Sequence, residues 1–206
     1  MKYQPLASSS CAATRVRSKQ RGFSLITTLI LLIVVTVLGI GASQMVLLSE
    51  RATRFDRDTQ IAFQEAEAAL IDAEFDIRGP NTSASQRVAT FSATSGLGFI
   101  DGCGTGTGLC LPAADGQKPV WYTVDFTDES SSAKTVKFGD FTGRTLSTGT
   151  SGIRPEMPPR YIIEVLPDNT SGSSASTPKK LFRVTAMGFG PRKETQAVLQ
   201  MIFRKE

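Results

Sequence analysis

From Phe23 to Leu48 the chain carries no charged residue, reading FSLITTLILLIVVTVLGIGASQMVLL. As a helix, these 26 residues reach about 39 Å at about 1.5 Å per residue. The hydrocarbon core of a bilayer needs only about 20. A secretory signal has an apolar stretch of about 7–15 residues followed by a small-residue cleavage site, and neither feature is present here. The run reads as a membrane span, since the alternative, a buried core helix, would need a large core around it. Lys2, Arg15, Arg17, Lys19 and Arg21 all precede the run, and no Asp or Glu does. The positive-inside rule therefore keeps the amino-terminal side cytoplasmic and sends the chain beyond about residue 50 across the membrane.

That basic leader also explains the formal charge of +4. Five of the 23 basic residues lie in it, which leaves 18 against 19 acidic ones. The remainder is close to neutral, so a nucleic-acid-binding surface is not indicated. The sequence contains no histidine, which excludes Ser-His-Asp and Cys-His nucleophilic sites and His-ligated metals. Paired carboxylates remain open as catalysts but form no recognisable cluster, and no cofactor is expected. With 206 residues and 20% charged, the chain suits one folded domain plus an appendage.

Helical character continues past the apolar run. Residues 50–78 contain neither Gly nor Pro and are rich in Ala, Glu and Arg. Ala52, Phe55, Ala62, Ala66, Ala69, Leu70, Ala73 and Ile77 recur mostly at three, four and seven, which defines one apolar face. Glu50, Arg54, Arg57, Asp58, Glu65, Asp72, Glu74 and Asp76 are assigned to the remaining surface. Gly79-Pro80 ends the helix. A one-sided amphipathic stretch of this kind is marginal in water without a surface on which to bury its stripe.

That surface is expected from the carboxy-terminal part. Strands are predicted at 119–126, 160–166, 180–187 and 195–203, with a shorter one near 134–138, and residues 188–194 form a hairpin loop. Turn-rich stretches at 82–95, 127–133, 145–151 and 168–177 separate them. The expected class is α+β, with a long amino-terminal helix, transmembrane and then amphipathic, packed on a carboxy-terminal antiparallel sheet. The boundaries are 1–22 for the leader, 23–79 for the helix with 23–48 in the membrane, and 80–206 for a β-rich globular domain. Cys103 and Cys110 frame a glycine-rich loop. Outside the cytoplasm a disulfide is the favoured reading, with two unpaired thiols as the alternative. Two thiols without companions argue against a metal site. The loop lacks the Lys and the following helix of a phosphate-binding glycine loop.

The stretch Lys19-Gln20-Arg21-Gly22-Phe23-Ser24-Leu25-Ile26 resembles the type III signal of type IV pilins. Taken alone, Gly22 also reads as an ordinary glycine flanking a membrane segment. The resemblance implies that prepilin peptidase cuts between Gly22 and Phe23 and that Phe23 is then N-methylated. It further implies that the helix unwinds near Gly39 and Gly41 in a filament, although small residues packed against neighbouring helices explain those glycines equally well. Most pilins have a glutamate at the fifth mature position, where this chain has Thr27, and that departure points to a minor rather than a repeating subunit.

Three further stretches resemble the PilX family of minor pilins: Ala62 to Leu70, Gly108-Leu109-Cys110, and Phe182 to Gly190 followed by Thr195 to Gln200. The fold expected from this resemblance is type IV pilin-like. The implied function is pilus assembly in an initiation or tip complex, with effects on adhesion and twitching motility. The implied partners are other minor and major pilins, prepilin peptidase and the inner-membrane assembly platform. The implied location is the inner membrane, with a periplasmic domain, and then the pilus at the cell surface. A minor pseudopilin of a type II secretion system and a tip-displayed adhesin stand as alternatives, and a membrane-anchored enzyme is disfavoured.

Overall fold

Helix α1 spans Phe23–Arg78, 56 residues without a break, in a computed structural model that describes residues 23–80, 84–146, 152–168 and 179–205. The leader, including Cys11 and Gly22, and residues 81–83, 147–151, 169–178 and 206, which include parts of the turn-rich stretches expected at 82–95, 145–151 and 168–177, lie outside the described residues. The helix passes through Gly39 and Gly41, and neither has an atom within 4 Å of where a Cβ would stand. It ends as its sequence predicts. Gly79 adopts a left-handed φ of 71° and its N–H donates to the Phe75 carbonyl at 2.7 Å, which closes the last turn, while Pro80 prevents continuation. The chain forms two compact units, one up to Glu50 and one from Arg51 onward.

In the second unit a five-stranded sheet is built from β1 (Leu109–Cys110), β2 (Val136–Lys137), β3 (Arg160–Pro167), β4 (Lys180–Phe189) and β5 (Gln196–Phe203). The order is β1-β3-β4-β5, with β2 also on β3. All pairings are antiparallel except β1 with β3, which is parallel. The sheet is thus mostly antiparallel, and the α+β class is as expected.

The inner face of the sheet packs on α1. Ala62, Ala66, Ala69, Ala73 and Ile77 are fully buried. The last three join Tyr161, Ile163, Val165, Phe182, Val184 and Ala186 in the main core. Phe91 meets Phe182 edge-on at 5.5 Å and Phe99 at 6.1 Å. Small residues line the helix because the two backbones come close: a Cβ on Gly188 would collide with the main chain of Ala62, Glu65 and Ala66. Ala52 and Phe55, assigned to this face from the sequence, are exposed instead. Asp58, Asp72 and Asp76, assigned to the solvent side, are buried.

The strand expected at 119–126 is not formed. Val120–Thr123 makes a short helix, α2, preceded by Pro119 at the cap position. The reason lies in packing: Val120, Val124 and Phe126 are buried against Cys103, Cys110, Met157, Ile162 and Phe189. A helical turn brings Val120 and Val124 to one side. A strand would have aligned both with Tyr122, which is exposed.

Candidate functional site

The first unit presents the apolar run. From Ser24 to Glu50 the side chains of α1 are exposed, apart from Thr27, which is half-buried. Leu38 is 66% exposed and Met45 74%. Each large apolar side chain gains about 1.5–3 kcal/mol on leaving water, so this surface calls for lipid or other helices around it. Its hydroxyls make no competing demand. Thr27 donates to Ser24 O at 2.9 Å, Thr28 to Leu25 O at 2.9 Å, Thr36 to Ile33 O at 2.8 Å and Ser43 to Gly39 O at 2.9 Å. Bonding one turn back lets a hydroxyl sit in an apolar helix at low cost. Phe23 begins α1.

In the second unit the buried acids of α1 hold the loops. Asp76 accepts two bonds from Arg87 Nε at 3.1 and 3.0 Å, one from Nη2 at 2.6 Å, and one from the Tyr161 hydroxyl at 3.0 Å. Arg87 Nη1 also donates to the Thr107 carbonyl in the Cys103–Cys110 loop, and the guanidinium lies 3.7 Å over the Phe141 ring. One turn earlier, Asp72 accepts from the Gly139 N–H at 2.8 Å and from the Thr142 hydroxyl. Burial raises the Asp72 carboxyl above its usual range, with these two bonds opposing the shift. Burial, then the nearby Asp76 charge, holds the Tyr161 phenol well above its ordinary value.

Cys103 and Cys110 are joined in a disulfide with their Cα atoms 4.1 Å apart. Cys110 lies in β1 beside Glu164 of β3. That glutamate is buried and takes a two-armed bond from Arg183, at 2.9 and 2.8 Å, which raises the Arg183 guanidinium. Lys205 donates to the carbonyls of Ile77 and Val88 at 2.8 and 2.9 Å, a favourable place for a cation at the end of a helix. Glu65 differs from these. One of its oxygens is buried without a hydrogen-bond partner among the described residues, and burial pushes the carboxyl up to about 7.

Thr27 and the disulfide belong to different units, and the second unit arranges bonded clusters that anchor loops to a helix. Sequence reading missed Asp72, Asp76, Arg87 and Tyr161. The signal was present in part, since Asp58, Glu65, Asp72 and Asp76 repeat at seven, seven and four beside the alanine stripe.

Two family descriptions match the chain, PilX N-terminal over residues 21–70 and Type IV pilus assembly protein PilX C-term over residues 106–205. No curated protein and no solved structure matches. Family members are structural components of the pilus, and the apolar first half of α1 accords with membrane anchoring of a pilin. With the long helix, the mostly antiparallel sheet and both halves of the family pattern in place, the chain belongs to the PilX family, as a minor pilin of type IV pilus assembly.

Proposed function

We propose that this minor pilin is made as a precursor, cut by prepilin peptidase between Gly22 and Phe23 and methylated on Phe23, and that it serves in the complex that starts or caps the filament. Residues 23–48 hold it in the inner membrane, with the domain from residue 80 in the periplasm. It contacts other minor and major pilins and the assembly platform there, and its role is structural. Loss of pili then weakens adhesion and twitching motility.

The observation that carries this reading is the uncharged stretch of α1, whose side chains from Thr28 to Leu48 are exposed in the single chain, together with Thr27 at the fifth position after the cut. A carboxylate in a membrane span costs about 2.5–3.5 kcal/mol on insertion scales. A subunit repeated throughout the fibre would recover that cost by pairing at every joint. A subunit used once does not need the pair, and Thr27 bonds its own helix instead. Mass spectrometry of the protein from producing cells should find N-methylated phenylalanine at its terminus. Deleting the gene should remove surface pili while the major pilin is still made. Recovery of the chain with residues 1–22 attached, in cells with active peptidase, would overturn the processing step. Normal piliation in the deletion strain would overturn the role.

A further inference from the structure

The second core closes over both cysteines of the disulfide. Cys103 and Cys110 are 4% and 0% exposed, and they share a buried cluster with Val120, Val124, Phe126, Met157, Ile162 and Phe189. Cys110 is also paired with Glu164 of β3 and bridged to Ile100. Thiol–disulfide exchange needs a thiolate that can reach the sulfur of another disulfide, and a thiol buried in apolar surroundings is inert. An oxidant arriving at the finished domain would find neither sulfur within reach.

Chain order opens an earlier window. All six residues that join the cysteines in that cluster follow Cys110, from Val120 to Phe189, and so do the half-buried residues packed on it, Ala113, Trp121 and Met187. A chain made and exported from its amino-terminal end delivers both thiols first and their cover afterwards. Closing the ring asks nothing of that cover. The cysteines have a sequence separation of 7. Between them Gly106 and Gly108 take left-handed φ of 67° and 58°, a bend that glycine makes without a Cβ penalty. Folding then fixes the ring through partners from elsewhere in the chain. The Gly106 N–H donates to the Ala133 carbonyl at 2.7 Å, the Ile163 N–H to the Gly108 carbonyl at 2.8 Å, and Arg87 to the Thr107 carbonyl.

We propose that the Cys103–Cys110 bond is made on the unfolded chain by a dithiol–disulfide oxidase, before residues 120–189 cover it, and that a domain folded with free thiols is shut to that oxidase. One cysteine thiolate attacks the oxidase disulfide and expels an oxidase thiolate. The other cysteine thiolate attacks the mixed disulfide at the first cysteine's sulfur. The oxidase leaves as a dithiol, holding the two electrons and, through solvent, the two cysteine protons. The proposal rests on the reading that residues from 80 onward are periplasmic, which the mature terminus and the deletion strain test separately. The experiment uses the full chain carrying Cys11→Ser, reduced in urea and diluted into detergent. Oxidised glutathione, smaller than any oxidase, is added before dilution or after it. Alkylation and mass count the free thiols, and circular dichroism follows folding. Chains folded first should close about a hundredfold or more slowly than chains held in urea, and returning them to urea should restore the rate. In producing cells, pulse-labelled chains should already be oxidised when they first resist protease. Equal rates before and after folding would overturn the proposal. A reduced chain that never regains the folded spectrum would do so too, because no cover would then form over free thiols. So would a protease-resistant reduced chain that precedes the oxidised one in cells.

Discussion

Replacing Arg87 by Met tests whether the buried helix acid Asp76 holds the fold by charge pairing. Asp76 is fully buried, and the substitution removes three of the four hydrogen bonds it makes among the described residues, leaving the Tyr161 hydroxyl. Stranding one partner of a buried pair costs about 3–5 kcal/mol, out of a total stability of about 5–15 kcal/mol. At about 2–4 °C per kcal/mol for a domain of roughly 150–250 residues, the midpoint falls by about 6–20 °C. Urea unfolding and thermal melts of the unit Arg51–Glu206, followed by circular dichroism, read both values. A triple variant, Asp76→Leu, Arg87→Met and Tyr161→Phe, leaves no charge or hydroxyl stranded and should regain at least about 2 kcal/mol of the single variant's loss. A loss below about 1 kcal/mol in the single variant would refute the reasoning. So would a triple variant no more stable than the single one, because the cost would then lie in lost packing.

Glu65 makes stability fall as pH rises. Its carboxyl titrates at about 7 when folded against 4.5 as a free side chain, so between those values the folded state holds the extra proton and ionisation is paid for by folding. After discounting for its partial exposure the effect is about 1–2 kcal/mol between pH 4.5 and pH 7, and Glu65→Gln should flatten that part of the curve in melts at pH 5 and pH 8. Reducing the Cys103–Cys110 bond, which spans a sequence separation of 7, should cost about 2–3 kcal/mol on the chain-entropy account, read as a shift in urea midpoint with and without reductant. Gly188→Ala places a methyl group against the main chain of Ala62 and Ala66. Backbone cannot swing aside as a side chain can, so a loss of about 1–3 kcal/mol or more is expected in the same unfolding assay.

The parts of the fold legible in the sequence are those set by local pattern. The 26-residue uncharged run and the Gly-free, Pro-free stretch after it gave α1 to within a residue of its observed end at Arg78. The β-branched and aromatic runs gave β3, β4 and β5. What failed depended on distant partners. An Asp on an alanine stripe reads as solvated until its partners are known, and those of Asp76 lie 11 and 85 residues away. Val120-Trp-Tyr-Thr123 has strand propensity, but the cluster that Val120 and Val124 enter sits on another part of the chain, and packing overrode propensity. β1 has two residues, too few for any periodic signal, and its partner β3 begins fifty residues later.

The two halves of α1 divide the work of recognition. In the first half Thr27, Thr28, Thr36 and Ser43 all bond their own helix. What that half offers a neighbour is apolar area, and apolar attraction is non-directional. It can hold helices together but does little to choose among them. Choice requires directional groups, and those lie in the second unit. There the buried acids of α1 fix loops, so that residues 139–142 and, through Arg87, the disulfide-closed loop keep one shape. A surface held rigid before contact loses less entropy on binding. The charge pairs at Asp76 therefore bear on assembly through the shape they preserve, although Asp76 itself is buried and touches no neighbour.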